Sequence, residues 1–148
     1  MDSFPDVDFS NTPLAEFGDL INFYAGENLI DPWDIAVLIW VESRGDPTAY
    51  NENSMATGLG QVMPKEYGPM FEDRPSIEEL KDPKTNIKWA CKIYAYYFHK
   101  YHSRFAACYY YSGGKYWGDL IDFEERYWNK FLEARRFLGE TEFGSSAS

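Results

Sequence analysis

Apolar residues along most of the chain recur every three or four positions, which places them on one face of a helix. Residues that commonly cap helices precede these stretches. The patterns predict helices that begin near Thr12, Asp31, Gln61, Ser76, Asp82, Ser103 and Asp119. The alternation that is typical of strands is almost absent, and only the turn-rich residues 46–60 leave room for a short hairpin. The sequence therefore predicts an all-α fold with little or no β-structure.

Glycines mark the expected ends of three of these helices. The helix over Gln61–Tyr67 is expected to end at Gly68, the one after Ser103 at Gly113-Gly114, and the last one at Gly139. The inward face of the last helix is predicted to carry Leu120, Phe123, Tyr127, Phe131, Ala134 and Leu138.

Length and composition fit one globular domain. Of the 148 residues, 45% are hydrophobic and 19% aromatic, which is typical of a chain with a packed core rather than of a disordered one. We predict a single domain over residues 1–148. Within it, residues 1–11 are expected to form an N-terminal arm and residues 140–148 a flexible tail.

The charge narrows the range of partners. A net charge of −10 and a pI of about 4.6 argue against nucleic acid and anionic membrane surfaces. No apolar run approaches membrane-spanning length, and residues 1–11 lack the apolar centre of a secretory signal. We therefore predict a monomer that is made in the cytoplasm and binds neither nucleic acid nor membrane.

The cysteines and histidines give no sign of a metal or cofactor. Cys91 and Cys108 fall in apolar helical segments, which favours two buried free thiols, although the spacing leaves a disulfide open. His99 and His102 have no metal-ligand partners at usable spacing and are expected to be exposed helix-end residues. The sequence predicts no metal site and no cofactor.

Glu42 is the first candidate for chemistry. It lies in the last turn of an otherwise apolar predicted helix, where the helix dipole disfavours a negative charge. Partial burial would raise the pKa of such a carboxyl group further and keep it protonated near neutral pH. A glycosidase needs an acid of this kind to protonate the leaving glycosidic oxygen.

The residues around Glu42 strengthen this interpretation. Glu42-Ser43, Asp46-Pro47 and Ala49, followed by residues 58–64 (GLGQVMP), resemble the motifs E-S-x-x-(N/D)-P-x-A and G-L-M-Q-x-M-P of lytic transglycosylases, the relatives of goose-type lysozymes. The resemblance implies a lysozyme-like helical domain in which Glu42 is the only catalytic acid and base.

The same resemblance implies a set of substrate-binding residues. Gln61 matches a glutamine whose amide holds the substrate, Met63 a methionine that lines the cleft, and Ser43 the serine beside the acid. Asn51 stands where many members have serine and keeps the capacity to form hydrogen bonds. Gly60 replaces a methionine, which is expected to open space beside the cleft.

Three later segments extend the resemblance to about residues 33–132. Asp82-Pro83-x-x-Asn86-Ile87 matches a helix start in the family. An ordinary helix cap at Asp82 would explain the same residues. Residues 107–113 resemble A-A-Y-N-A-G, whose tyrosine points at the acid; aligning the glycines gives Tyr110 that position. Tyr111 then replaces asparagine and Gly114 replaces proline, so the register stays open by one residue. Residues 124–127 resemble E-T-R-x-Y, one residue shorter, which adds Tyr127.

The resemblance implies a muramidase that cleaves the MurNAc-β-1,4-GlcNAc bond of peptidoglycan and leaves 1,6-anhydroMurNAc ends. One alternative is a hydrolytic goose-type lysozyme or endolysin in which a loop carboxylate, Asp46 or Glu52, assists water. A chitinase and an inactive sugar-binding or structural module are further alternatives. The expected partner is the peptidoglycan glycan strand, and the expected place of action is the cell wall, which would suit a phage lysin or a virion-borne enzyme.

Overall fold

The structure, a computed structural model, describes residues 4–64, 73–113, 116 and 118–139, and most of these residues lie in helices. A 3₁₀ turn covers Ala15–Phe17, and the α-helices are α1 Gly18–Glu27, α2 Pro32–Ser43, α3 Ile77–Leu80, α4 Pro83–Tyr101, α5 Arg104–Tyr111, α6 Leu120–Phe123 and α7 Asn129–Leu138. A π-helical segment, Glu124–Trp128, joins α6 to α7. In these ranges β-structure consists of isolated bridges from Thr57 to Tyr50 and Val62. The all-α prediction is confirmed.

Five helices begin at predicted capping residues. Each of these residues accepts a hydrogen bond from a backbone N–H in the first turn of its helix: Asp31 in α2, Ser76 in α3, Asp82 in α4, Ser103 in α5 and Asp119 in α6. These bonds satisfy amides that have no partner within the helix. The local sequence thus sets these helix starts.

Two predicted helix boundaries are wrong. Helix α1 does not start at Thr12, because residues 12–14 form turns and a 3₁₀ turn precedes Gly18. Residues 61–64 are not helical either. Gln61 adopts a left-handed φ of 49°, which turns the chain so that Val62 pairs with Thr57. The rest of that predicted helix, through Tyr67, lies outside the described residues.

The predicted N-terminal arm is packed where it is described. The backbone N–H of Val7 donates to Asn22 Oδ1, and Asn22 Nδ2 donates back to the Val7 carbonyl oxygen. Phe9 is buried and contacts the Trp33 ring edge-on at 5.2 Å. The predicted flexible tail, residues 140–148, lies outside the described residues.

The predictions for Leu120, His99 and the two cysteines have different outcomes. Leu120 is 55% exposed rather than inward-facing, since it opens the short helix α6. His99 is half-buried, and its Nε2 lies 2.9 Å from the Asn28 carbonyl oxygen, so it joins α4 to the end of α1. Cys91 and Cys108 are free and fully buried, and burial raises the pKa of both thiols.

Helix α2 runs through the centre of the molecule. Every residue from Asp34 to Ile39 is at most 1% exposed. A helix that is apolar on all sides is stable only when other elements surround it. Helices α1 and α7 pack on α2, while α4 packs on α1 and α5. The carboxyl end of α2 reaches the surface and carries Glu42, which is half-buried. In the described part of the chain no helix has the length and apolarity to cross a membrane.

A buried ionic network holds the other end of α2. Asp34 accepts hydrogen bonds from Arg135 Nη1 at 2.5 Å, from Arg104 Nε at 2.8 Å and from the Tyr94 hydroxyl at 3.0 Å. Arg104 Nη2 also contacts Asp31 Oδ2 at 3.2 Å. Because these partners belong to α4, α5 and α7, the network joins four helices at the amino end of α2. Paired and hydrogen-bonded charges of this kind are stable where an isolated one is not.

We expect Asp34→Asn to lower the free energy of unfolding by about 3–5 kcal/mol, because it removes the buried charge that pairs with the Arg135 guanidinium at 2.5 Å. The matched control is Asp122→Asn, which breaks the exposed ion pair with Arg126 and is expected to cost less than about 1 kcal/mol. Urea unfolding followed by circular dichroism measures both. An equal loss in the two variants would show that the network does not hold the fold.

Candidate active site

A cleft of about 460 Å³ opens beside the carboxyl end of α2. The loop after α2 forms one wall, and side chains of α4 and α5 form the other. The lining includes five of the residues that the sequence predicted for the site: Glu42, Asn51, Gln61, Met63 and Tyr110. Residues separated by up to 68 positions in sequence therefore meet in one depression.

A buried phenol contacts Glu42. The Tyr127 hydroxyl donates a hydrogen bond to Glu42 Oε2 at 2.6 Å. Burial, with the nearby Glu42 charge, raises the pKa of Tyr127 well above its usual value, so this hydroxyl stays protonated and acts as a donor. The bond fixes the direction of a side chain that otherwise ends an apolar helix.

The π-helical segment explains how Tyr127 reaches this position. Residues Glu124–Trp128 interrupt an otherwise continuous helical stretch from α6 to α7. A π turn changes the direction of the side chains that it carries, and such turns are frequent at functional sites. Tyr127 is nearly fully buried and faces the end of α2 from this turn. The sequence placed Tyr127 inward but gave no sign of the π turn.

Tyr110, which the resemblance directs toward the acid, lies in the cleft lining together with Glu42. The Tyr110 ring stacks on Tyr97 and Tyr101, and the Tyr127 hydroxyl is a donor to Glu42. Tyr111, the next residue, also lines the cleft, and its hydroxyl donates to the Gly60 carbonyl oxygen at 2.7 Å. Tyr110 therefore packs on the α4 wall of the cleft, whereas Tyr111 bonds to the loop that forms the other wall.

Gly60 and Tyr111 fit each other. A Cβ atom at Gly60 would lie 2.9 Å from the Tyr111 hydroxyl oxygen and 2.8 Å from Ala90 Cβ. The space that was expected to open at Gly60 is thus occupied by the Tyr111 side chain. Two departures from the family pattern, glycine for methionine and tyrosine for asparagine, compensate each other sterically.

Asn86 anchors the cleft loop to α4. Its Oδ1 accepts a hydrogen bond from the Gly60 N–H at 2.7 Å, and its Nδ2 donates to the carbonyl oxygens of Thr57 and Leu80 at 2.7 and 2.8 Å. Gly58 is needed beside it, because a Cβ there would lie 2.4 Å from Asn86 Nδ2. The motif Asp82-Pro83-x-x-Asn86 therefore does two jobs: Asp82 caps α4 and Asn86 holds the loop.

Gln61 is oriented by the loop itself. Its Nε2 donates to the carbonyl oxygens of Ala49 and Gly58 at 3.2 and 3.1 Å. A left-handed φ of 49° is rare for a residue other than glycine, and such backbone strain concentrates at functional sites. The Gln61 amide nitrogen is thus bound by the loop.

Asn51 and Ser43 both support the loop. Asn51 Oδ1 accepts hydrogen bonds from the backbone N–H groups of Asn53 and Ser54 at 2.9 and 3.3 Å. The Ser43 hydroxyl donates to the Leu59 carbonyl oxygen at 2.7 Å and lies outside the cleft lining. Ser43 therefore connects the end of α2 to the loop rather than facing the cleft, unlike the substrate contact that the resemblance implied.

Arg74 is a cleft residue that the sequence did not indicate. It is 7% exposed, lines the cleft and donates from Nη1 to the Met63 carbonyl oxygen at 2.9 Å. Burial lowers the pKa of Arg74 from its usual value, while the neighbouring Tyr111 and Tyr97 phenols oppose the shift. Arg74 stands in an irregular segment without periodicity or motif, so no sequence signal marked it.

Among the described residues that line the cleft, Glu42 is the only carboxylate. Asp46 is exposed and accepts hydrogen bonds from the Thr48 N–H and hydroxyl, which lower the pKa of Asp46. Glu52 is also exposed and lies outside the lining. Within the same described ranges, no three His, Cys, Asp or Glu side chains are grouped closely enough to hold a metal ion.

Comparisons of sequence and fold relate this chain to known proteins. The chain is 38% identical over 80 residues to a membrane-bound lytic murein transglycosylase E of Buchnera aphidicola, an alignment that covers 50% of this chain and 36% of that protein. The fold of this chain is similar to that of the 70 kDa soluble lytic transglycosylase of Escherichia coli, with a TM-score of 0.59 and 22% sequence identity. The match covers 87% of this chain and 22% of the Escherichia coli protein. Residues 19–118 match the family described as the transglycosylase SLT domain. The chain belongs to that family.

Proposed function

We propose that this chain cleaves the MurNAc-β-1,4-GlcNAc bond of peptidoglycan as a lytic transglycosylase, with Glu42 as the acid and then the base. The observation that carries the proposal is the Glu42 carboxyl group in the cleft, held at 2.6 Å by the Tyr127 hydroxyl. Membership of the transglycosylase family and the activity named for its Buchnera relative support it.

In the first step Glu42 transfers its proton to the oxygen of the scissile bond. The bond from that oxygen to the muramoyl C1 breaks, and the GlcNAc unit leaves as an alcohol. A glycosidase with one carboxyl group needs another nucleophile, and the 2-acetamido carbonyl oxygen of the substrate serves this purpose by bonding to C1. The absence of a second carboxylate from the described cleft lining supports this route.

In the second step the Glu42 carboxylate takes the proton of the muramoyl 6-hydroxyl group. The 6-oxygen bonds to C1 as the acetamido oxygen leaves, which closes the 1,6-anhydro ring and returns Glu42 to its protonated form. One group thus acts as both acid and base. We propose that Gln61, Asn51, Met63 and Tyr110 bind the sugars, whereas Ser43 and Tyr127 position Glu42.

A water-activating lysozyme is the second candidate, and the loop argues against it. It would need a second carboxylate near the reacting carbon. Asp46 is bound to Thr48 and Glu52 lies outside the lining, so neither of the carboxylates that the sequence suggested faces the cleft. The ordered Glu42–Tyr127 pair also argues against an inactive module, because a remnant would not need to hold that carboxyl group. We further propose that the chain acts on the cell wall as a monomer.

Glu42→Gln is expected to slow cleavage of purified sacculi about 10²–10⁴-fold or more, because the amide keeps the shape of the side chain but cannot exchange a proton.

The products of the unmodified protein provide a second test, in which the released fragments are reduced with borohydride and their masses are measured. Most muramoyl ends should resist reduction and be lighter by one water than reducing ends.

Circular dichroism and thermal unfolding provide the control that the Glu42→Gln protein is folded. Near-normal cleavage by the folded variant would refute the role of Glu42. Mainly reducible ends would instead support the hydrolase, and Asp46 and Glu52 would then be the residues to change.

Tyr127→Phe is expected to lower kcat/KM about tenfold, since it removes one hydrogen bond to a charged group. That bond favours the ionised form of Glu42, so its loss should move the alkaline limb of the pH–kcat/KM profile to higher pH. Tyr109→Phe is the matched control, because the Tyr109 hydroxyl contacts the Gly118 N–H and not Glu42. A profile that keeps its alkaline limb in Tyr127→Phe would rule out this positioning role.

A further inference from the structure

Three tyrosine rings form a stack that runs along one wall of the cleft. Tyr97 and Tyr101 are one turn apart on α4, and Tyr110 of α5 lies between them. The centroids of Tyr97 and Tyr110 are 5.3 Å apart at 19°, and those of Tyr101 and Tyr110 are 4.7 Å apart at 10°. Tyr97 and Tyr110 line the cleft and Tyr101 does not, so the stack leads out of it.

The stack determines what each ring can offer to a ligand. The Tyr110 ring stacks on both Tyr97 and Tyr101, so its faces are less open to a ligand than its edge and hydroxyl group. A hydrogen bond to Tyr101 raises the pKa of Tyr110, so the two phenols hold each other. Tyr101, at the end of the stack, remains 38% exposed.

The surface beyond the stack is aromatic and carries a positive charge. Tyr96 is 43% exposed and meets the Tyr97 ring edge-on at 5.2 Å. Lys100 Nζ lies 5.7 Å from the Tyr96 centroid and 5.4 Å from the Tyr101 centroid. We call Tyr96, Lys100 and Tyr101 the α4 platform. Exposed aromatic rings that are held in place by neighbours bind ligands at a low cost in conformational entropy.

We propose that the α4 platform binds the glycan strand where it leaves the cleft, so that the enzyme holds sugars beyond those next to the cleaved bond. This proposal rests on the proposed function and names a further part of its binding site. The chemistry fits a sugar ring, whose C–H face can lie on a phenol ring while its hydroxyl groups meet phenol and ammonium groups. Lys100 also suits the carboxylates of the stem peptides, in a protein whose net charge is −10.

The glycan strand is the proposed ligand because the α4 platform continues one wall of the cleft. The platform extends a wall that already includes Tyr97 and Tyr110, and the proposed substrate is a polymer longer than the cleft. A nucleic acid strand would also stack on aromatic rings, but the charge of the chain disfavours it.

The test compares a long substrate with a short one. Tyr96→Ala and Tyr101→Ala are each expected to raise KM for soluble, long glycan strands about tenfold with kcat unchanged. Tyr96→Ala is also expected to leave KM for a tetrasaccharide unchanged. Tyr101→Phe should keep most of the affinity because it retains the ring. Phe23→Ala is the matched control, since Phe23 is 58% exposed on α1 and outside the cleft.

Binding of the Glu42→Gln variant to insoluble sacculi, with and without Tyr96→Ala, measures the same contact without catalysis. The proposal predicts a roughly tenfold weaker Kd in the double variant. It is overturned if Tyr96→Ala behaves like Phe23→Ala, if long and short substrates are affected equally, or if sedimentation shows that the platform joins two copies of the chain. Failure of the proposed function would look different, because the unmodified protein would then cleave neither substrate.

Discussion

The ionic network around Asp34 is the constraint on which the geometry of the cleft depends. It joins the amino end of α2 to α4, α5 and α7, and the same four helical elements or their extensions supply Glu42, Tyr97, Tyr110 and Tyr127. Because buried charges are stable only while they remain paired, these helices cannot slide past one another without separating ions. A polar cluster at one end of a central helix thus fixes the place of the carboxyl group at its other end.

Local features of the fold were predictable because their causes are local. Asp31, Asp82 and Ser103 cap helices through bonds to amides two or three residues away, and the apolar run of α2 predicts a buried helix whose last turn carries Glu42. The Glu42–Tyr127 bond joins residues 85 positions apart, and it depends on a π turn that no spacing announces. Arg74 enters the cleft from an irregular segment, so only the folded chain reveals it.

Gly60 and Tyr111 show why the motifs described the site incompletely. In the sequence, Gly60 and Tyr111 are two separate departures from the family motifs, 51 positions apart. In the fold the two residues touch, and the Tyr111 hydroxyl bonds the Gly60 carbonyl oxygen in the space that a larger residue at position 60 would need. A pair of changes that fit each other therefore forms this part of the cleft wall.

A crystal structure of the Glu42→Gln variant with a bound GlcNAc–MurNAc tetrasaccharide tests the central claim most directly. We predict that the strand lies in the cleft, that the side chain at position 42 is within hydrogen-bonding distance of a glycosidic oxygen, and that the Tyr127 hydroxyl still contacts that side chain. A strand bound elsewhere on the protein, or one whose glycosidic oxygens all lie out of reach of position 42, would contradict it.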